Sequence, residues 1–269
     1  MKNCGTAVAS GLLFFDDIFK GILSCVLLNW KINSKVKQMN HSLFIKQQVL
    51  LLTISFLLLI IFFPIYGEVD LNLIQPWMSP HGEFFLKSNW YLDNLNHRYV
   101  KQLLIMAYVS FLGLWIASFK FKQLLQHRTT YLYLFLMIIL STSVIGILKS
   151  QSDHACPWNM VIPSGDSYTW QFNQIGGHCF PGGHASTGFA LLVGYFVYRA
   201  KNRRRAIFYL VAALILGLGM GWAQMMRGAH FFSHNLWTGW IIWFINVLVY
   251  TLTYSSLKNS VFENKQPKI

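Results

Sequence analysis

Residues 129–148 read TTYLYLFLMIILSTSVIGIL, a run with no formal charge, bounded by Arg128 and Lys149. A helix needs about 20 predominantly apolar residues to cross a hydrocarbon core of about 30 Å, so this stretch reads as a membrane span. Five further charge-free apolar stretches resemble it: Gln47 to Gly67, Gln102 to Phe119, Ala185 to Tyr198, Ala206 to Met226 and Asn235 to Leu257. Ala185 to Tyr198 is short, but a helix starting at the glycines before it can tilt or let Arg199 snorkel. The expected fold is an all-α integral membrane protein, a six-span helical bundle with external catalytic loops.

Composition agrees. Of 269 residues, 54% are hydrophobic and 12% charged, too apolar for an ordinary soluble domain. A net charge of +13 would suggest nucleic acid in a soluble chain. Here the basic residues sort by side instead, and no nucleic-acid partner is expected. Lys46, Lys120, Lys122, Arg128, the Arg199 to Arg205 group and Lys258 all fall on one face of a six-span arrangement, which the positive-inside rule makes cytoplasmic. Both termini then lie in the cytoplasm, and the expected location is a bacterial inner (plasma) membrane.

The remaining segments divide simply. Residues 1–40 form an N-terminal arm whose apolar part is interrupted by Asp16, Asp17 and Lys20, which favours an interfacial helix over a seventh span. No small-residue cleavage pattern follows it, so the first span is expected to stay as an uncleaved anchor. Residues 41–257 make the six-span domain and 258–269 a cytoplasmic tail. The loop from Ile65 to Arg98, with Trp77, Phe84, Phe85, Trp90 and Tyr91, is expected to lie along the membrane surface as a short helix or lid.

Three unusual clusters share the external (periplasmic) face. Lys149 ends the third span. Pro181-Gly182-Gly183-His184 precedes an apolar helix, where exposed N–H groups favour an anion and glycine lets backbone approach it. Arg227, His230 and His234 recur at i, i+3 and i+7 around the next external turn. Cations and histidines at three span ends have the makings of a phosphate site. A zinc site is the competing reading, since His230 and His234 are one turn apart and His154, Cys156, His178 and Cys179 are at hand. The adjacent arginine and the lack of an acidic base argue against it, so no metal or cofactor is expected. Cys156 and Cys179 share an external loop, where a disulfide would close about two dozen residues and contribute roughly 3 kcal/mol. Two unpaired thiols are the alternative.

With these clusters in place the chain resembles the type 2 phosphatidic acid phosphatase superfamily of membrane lipid phosphatases, across roughly Gln47 to Leu257. That family's motifs read K-x6-R-P, P-S-G-H and S-R-x5-H-x3-D. Lys149 and Cys156-Pro157 follow the first with cysteine for arginine, and Pro181-Gly182-Gly183-His184 follows the second with glycine for serine. His230 is the third-motif histidine, with Gln224 at the arginine position and His234 at the aspartate position. A register with His234 as the nucleophile remains open and leaves Thr238 at the aspartate position.

The resemblance implies hydrolysis of a membrane lipid phosphate, a phosphomonoester or diphosphate of the lipid A, phosphatidylglycerophosphate or undecaprenyl type, through a phosphohistidine on His230. His184 is then the acid and base. Lys149, Gly183 and Gly182 hold phosphate oxygens, with Arg227 in place of the lost guanidiniums, and His234 or Asp153 accepts the hydrogen bond that orients His230. Phosphotransfer between lipids is the near alternative, and non-catalytic lipid binding or transport the distant one.

Overall fold

The structure is a computed structural model and describes residues 41–172 and 177–263. The N-terminal arm lies outside the described residues, as does the end of the tail. Long helices are α1 (His41–Phe62), α3 (Lys101–Ala117), α4 (Arg128–Ser150), α8 (Arg203–Met226) and α9 (Phe232–Leu257), with short α2 (Glu68–Ile74), α5 (Pro157–Met160), α6 (Gly183–Phe189) and α7 (Leu192–Tyr198) between them. Turns of π-helix extend two of these: Tyr91–Val100 leads into α3, and Lys258–Phe262 follows α9.

Five helical segments are long and apolar enough to cross a membrane: His41–Phe62, Tyr91–Ala117, Lys122–Ser150, Arg203–Met226 and Phe232–Phe262. The fourth apolar run differs from the others. It folds as α6 and α7, broken at Ala190 and Leu191, and is buried on nearly every side from Ala185 to Val197. A helix apolar all round belongs inside a bundle. The break leaves carbonyls that need donors where no water reaches, and Tyr108 Oη supplies one to the Thr187 carbonyl at 2.5 Å. α6 also crosses α8 closely: a Cβ on Gly188 would stand 2.4 Å from the Gly217 nitrogen, so only glycine permits that approach.

α1 turns Phe44, Gln48, Leu52 and Leu59 inward and leaves Leu50, Ile54, Leu57 and Ile61 exposed, the distribution expected of a lipid-facing helix. Its inward stripe receives indole N–H groups from α9. Trp243 donates to Gln48 Oε1 at 2.8 Å and Trp240 to the Leu52 carbonyl at 3.1 Å, so the tryptophans' polar edges are satisfied within the protein. After α9, residues 258–262 fold back and bury Phe262 against Tyr250, with ring centroids 4.7 Å apart.

On the other side of the bundle the loops have a core of their own, built from Ile74, Met78, Phe84, Met160, Val161, Met225 and Phe231. The bundle is helical as expected, and its loops add one small element: Val161–Ser164 and Ser167–Trp170 pair as an antiparallel hairpin. Its turn is Gly165-Asp166, with Gly165 at φ +60, a conformation glycine adopts without strain. The aromatic loop contributes α2 and the π-helical turn.

Candidate active site

α8 ends at Met226, and Gly228, at φ +77, reverses the chain before α9 begins. A side chain on Gly228 would strike the ring of Phe84 at 2.5 Å, so this turn fits under the loop core only with glycine. His230 lies in the turn and His234 one helical turn on, both buried.

Both imidazoles address one atom. His230 Nδ1 lies 2.7 Å from the Cys179 carbonyl oxygen and His234 Nδ1 lies 2.8 Å from it. A carbonyl only accepts, so both rings carry a proton on Nδ1 and present a lone pair at Nε2. Burial holds the His230 imidazole well below its ordinary pKa, helped by the nearby Lys149 ammonium and by His234 and His184 whenever those rings are protonated. His230 is therefore neutral at pH 7, and the residues acting on it come from all three sequence clusters.

The Cys179 carbonyl is held from several directions. Cys156 and Cys179 are joined as a disulfide with Cα atoms 5.2 Å apart. The Cys179 amide donates to the His154 carbonyl at 2.8 Å, and the Trp158 amide to the Gly228 carbonyl at 3.1 Å, tying this loop to the histidine turn.

Gly183 opens α6 beside Lys149, whose Cδ lies 3.6 Å from where a glycine Cβ would stand. Gln224 is buried on α8. Its Oε1 accepts from Arg227 Nη1 at 3.3 Å, while Nε2 is buried without a hydrogen-bond partner.

A family model for the PAP2 superfamily matches residues 130–258. The chain belongs to the PAP2 superfamily. No curated protein and no solved structure gives a significant match. PAP2 members are generally phosphatases, and the matched segment carries Lys149, Gly183, His184, Gln224, His230 and His234.

Against the PAP2 motifs, three sequence expectations are revised by the geometry. Arg227 does not stand as a free guanidinium: Nη2 pairs with Asp93 at 2.7 Å, Nε donates to the Lys87 carbonyl at 3.0 Å and Nη1 goes to Gln224. The Asp93 carboxylate is thus the anion this guanidinium binds. Gly182 does not offer its amide to a ligand either, because that N–H donates to Thr238 Oγ1 at 2.8 Å. Finally, His234 and Asp153 do not orient His230. The two imidazoles share an acceptor, with centroids 6.2 Å apart, and Asp153 acts on His154.

Several residues of this PAP2 site carried no signal in the sequence. Asp70 of α2 accepts from the Ser233 amide at 2.9 Å and from the Ser233 hydroxyl, capping α9 from another element. Burial raises the Asp70 carboxyl to about 6. Tyr66, Phe180 and Phe231 surround His234 with ring centroids at 6.4, 5.3 and 5.2 Å, and His154 stands at 6.2 Å, hydrogen-bonded to the Tyr66 hydroxyl. His234 Nε2 is buried there without a partner. Among the described residues no group of three or more His, Cys, Asp or Glu is placed to hold a metal ion.

Proposed function

We propose that this PAP2 protein is a lipid phosphatase that hydrolyses a lipid phosphomonoester or diphosphate at the outer face of the membrane through a phosphohistidine on His230. The observation that carries this reading is the neutral, Nδ1-protonated His230 held by the Cys179 carbonyl within the electrostatic reach of Lys149 and His184. Such a ring has its Nε2 lone pair ready for attack without losing a proton first.

In the first step Nε2 forms a bond to phosphorus as the bond from phosphorus to the lipid oxygen breaks, and the His184 imidazolium gives its proton to that oxygen. The neutral His184 then takes a proton from water. The water oxygen attacks phosphorus, the P–N bond returns its electron pair to Nε2, and inorganic phosphate leaves. Lys149, the Gly183 amide and the Gln224 Nε2 hold the equatorial oxygens, where charge is greatest during transfer. The Cys179 carbonyl takes over the part of the family's aspartate and supports the positive charge that develops on the ring. Arg227 acts one step back by turning the Gln224 amide.

The segregation of basic residues supports six crossings, with Gly183 to Tyr198 as the central one and the site facing outward. Phosphate release from phosphatidic acid, phosphatidylglycerophosphate, a lipid A phosphate and undecaprenyl diphosphate tests the reading. Release that disappears in His230→Ala and His184→Ala, and in the presence of vanadate, is expected. No release from any of them by the wild type would overturn it.

A further inference from the structure

The PAP2 motifs lose two arginines in this chain, and Arg227 is committed to Asp93. A transferring phosphoryl group carries charge on three oxygens, and once His184 has given up its proton a site with Lys149 as its other cation is short of positive charge. A lateral cavity of about 290 Å³ lies between α3, α4 and α6, and its lining includes Gly183 at one end and Lys101, the first residue of α3. Lys101 is close enough for its charge to act on Lys149. Among the described residues neither lysine forms an ion pair with a carboxylate. Gly183 links the two, lining the cavity with Lys101 and lying beside Lys149. Like charges near one another beside apolar surfaces repel, and an anion bound by both relieves that repulsion.

The cavity continues away from Lys101 along two stripes. On α3, Lys101 is followed at helical spacing by Ile105 and Val109; on α4, Ile139, Thr142 and Gly146 line it. Ile105, Val109 and Ile139 are also exposed on the bundle's flank, so the cavity opens sideways toward lipid. Trp237 and Trp240 are turned to α1 and do not line this cavity.

Resting on the phosphatase reading, we propose that Lys101 is a substrate-binding residue that replaces the missing guanidiniums by clamping the phosphate with Lys149, while the substrate's hydrocarbon chain lies in the cavity between α3 and α4. A soluble phosphate ester uses the lysine clamp alone. A long-chain lipid phosphate uses both parts.

Binding of non-hydrolysable hexadecylphosphonate and butylphosphonate to the full-length protein in nanodiscs tests this without requiring turnover. Lys101→Ala should weaken both ligands on the order of tenfold, the effect of losing one charge-assisted hydrogen bond, and Lys101→Arg should restore both. Gly146→Phe enters open space, because a Cβ there meets nothing within 4 Å. It should weaken hexadecylphosphonate on the order of tenfold and leave butylphosphonate unchanged. Thr142→Trp, also in the lining, should repeat that split. Wild-type affinity in Lys101→Ala, or equal loss of both ligands in both cavity variants, overturns the proposal. If the phosphonates bind as expected but the wild type releases no phosphate from any lipid, hydrolysis fails and the clamp stands.

Discussion

His230 Nδ1 lies 2.7 Å from the carbonyl oxygen of Cys179, and His234 Nδ1 reaches the same oxygen at 2.8 Å. A neutral main-chain dipole therefore does for two rings what a carboxylate does for one in the PAP2 motif. Because the acceptor is uncharged, the imidazolium form of either ring gains less from it than from aspartate. Both stay neutral with lone pairs on Nε2.

The two histidines are separable by substitution. His230→Ala should lower kcat by at least about 10³-fold, and His184→Ala by roughly 10²–10⁴-fold. His234→Phe fits the surrounding aromatic rings and should cost on the order of tenfold. Trapping of labelled phosphate on the protein identifies the nucleophile; label on His234 would reverse the assignment.

Reduction of the Cys156–Cys179 disulfide should lower both activity and stability. The chain-entropy loss is roughly 3 kcal/mol, and the carbonyl that orients His230 loses one of its restraints. Phosphate release and thermal unfolding of Cys156→Ser, beside dithiothreitol-treated wild type, measure both effects. Unchanged turnover in both would remove the disulfide from the positioning argument.

The acid limb of kcat/KM should lie well below the ordinary histidine pKa, since burial and the Lys149 charge oppose protonation of His230. Lys149→Met removes one of those charges. The limb should then move to higher pH while kcat falls. Stability follows the same sign: His230 protonates more easily unfolded than folded, so its contribution is intact above about pH 6.5 and is lost as pH falls below it.

Asp70 runs the other way. Its carboxyl is raised from 3.8 to about 6, so the folded state holds the proton more tightly, and Asp70's contribution to stability declines as pH rises from about 4 to about 6. Asp70→Asn should flatten that segment of a stability–pH profile. Asp70→Ala, which leaves the Ser233 amide without its acceptor, should cost about 1 kcal/mol at about pH 4 and less as pH rises toward about 6 and beyond.

Arg227 and Asp93 should behave as one unit. If the arginine acts through its ion pair and through Gln224, Arg227→Ala and Asp93→Asn should lower activity by comparable factors of about ten, and the double variant should lose little more. A loss in Arg227→Ala that dwarfs the one in Asp93→Asn would return the guanidinium to the phosphate.

Much of this was legible in the chain. Apolar length places five of the long helices, and the three clusters meet at His230 because motif order follows span order. Arg227 misled because its spacing gives a face but not the occupant of that face; Asp93, more than a hundred positions away, is the occupant. Gly182 misled for a similar reason, since nothing near it in sequence announces Thr238. Lys101 reads as an ordinary charge at a span end until α3 and α4 are set side by side. Asp70 had no pattern at all, for a cap supplied by another element leaves no local trace.

The Cys179 oxygen has a further implication for how the site can change. A side-chain acceptor disappears with one codon, whereas a main-chain acceptor survives every substitution that preserves the path of its loop. Selection can act on it only through whatever shapes that path: the sulfur bridge, and Gly177, where any side chain would meet the Ala155 backbone at 2.1 Å. In this chain the heritable part of the histidine-orienting device is a loop contour.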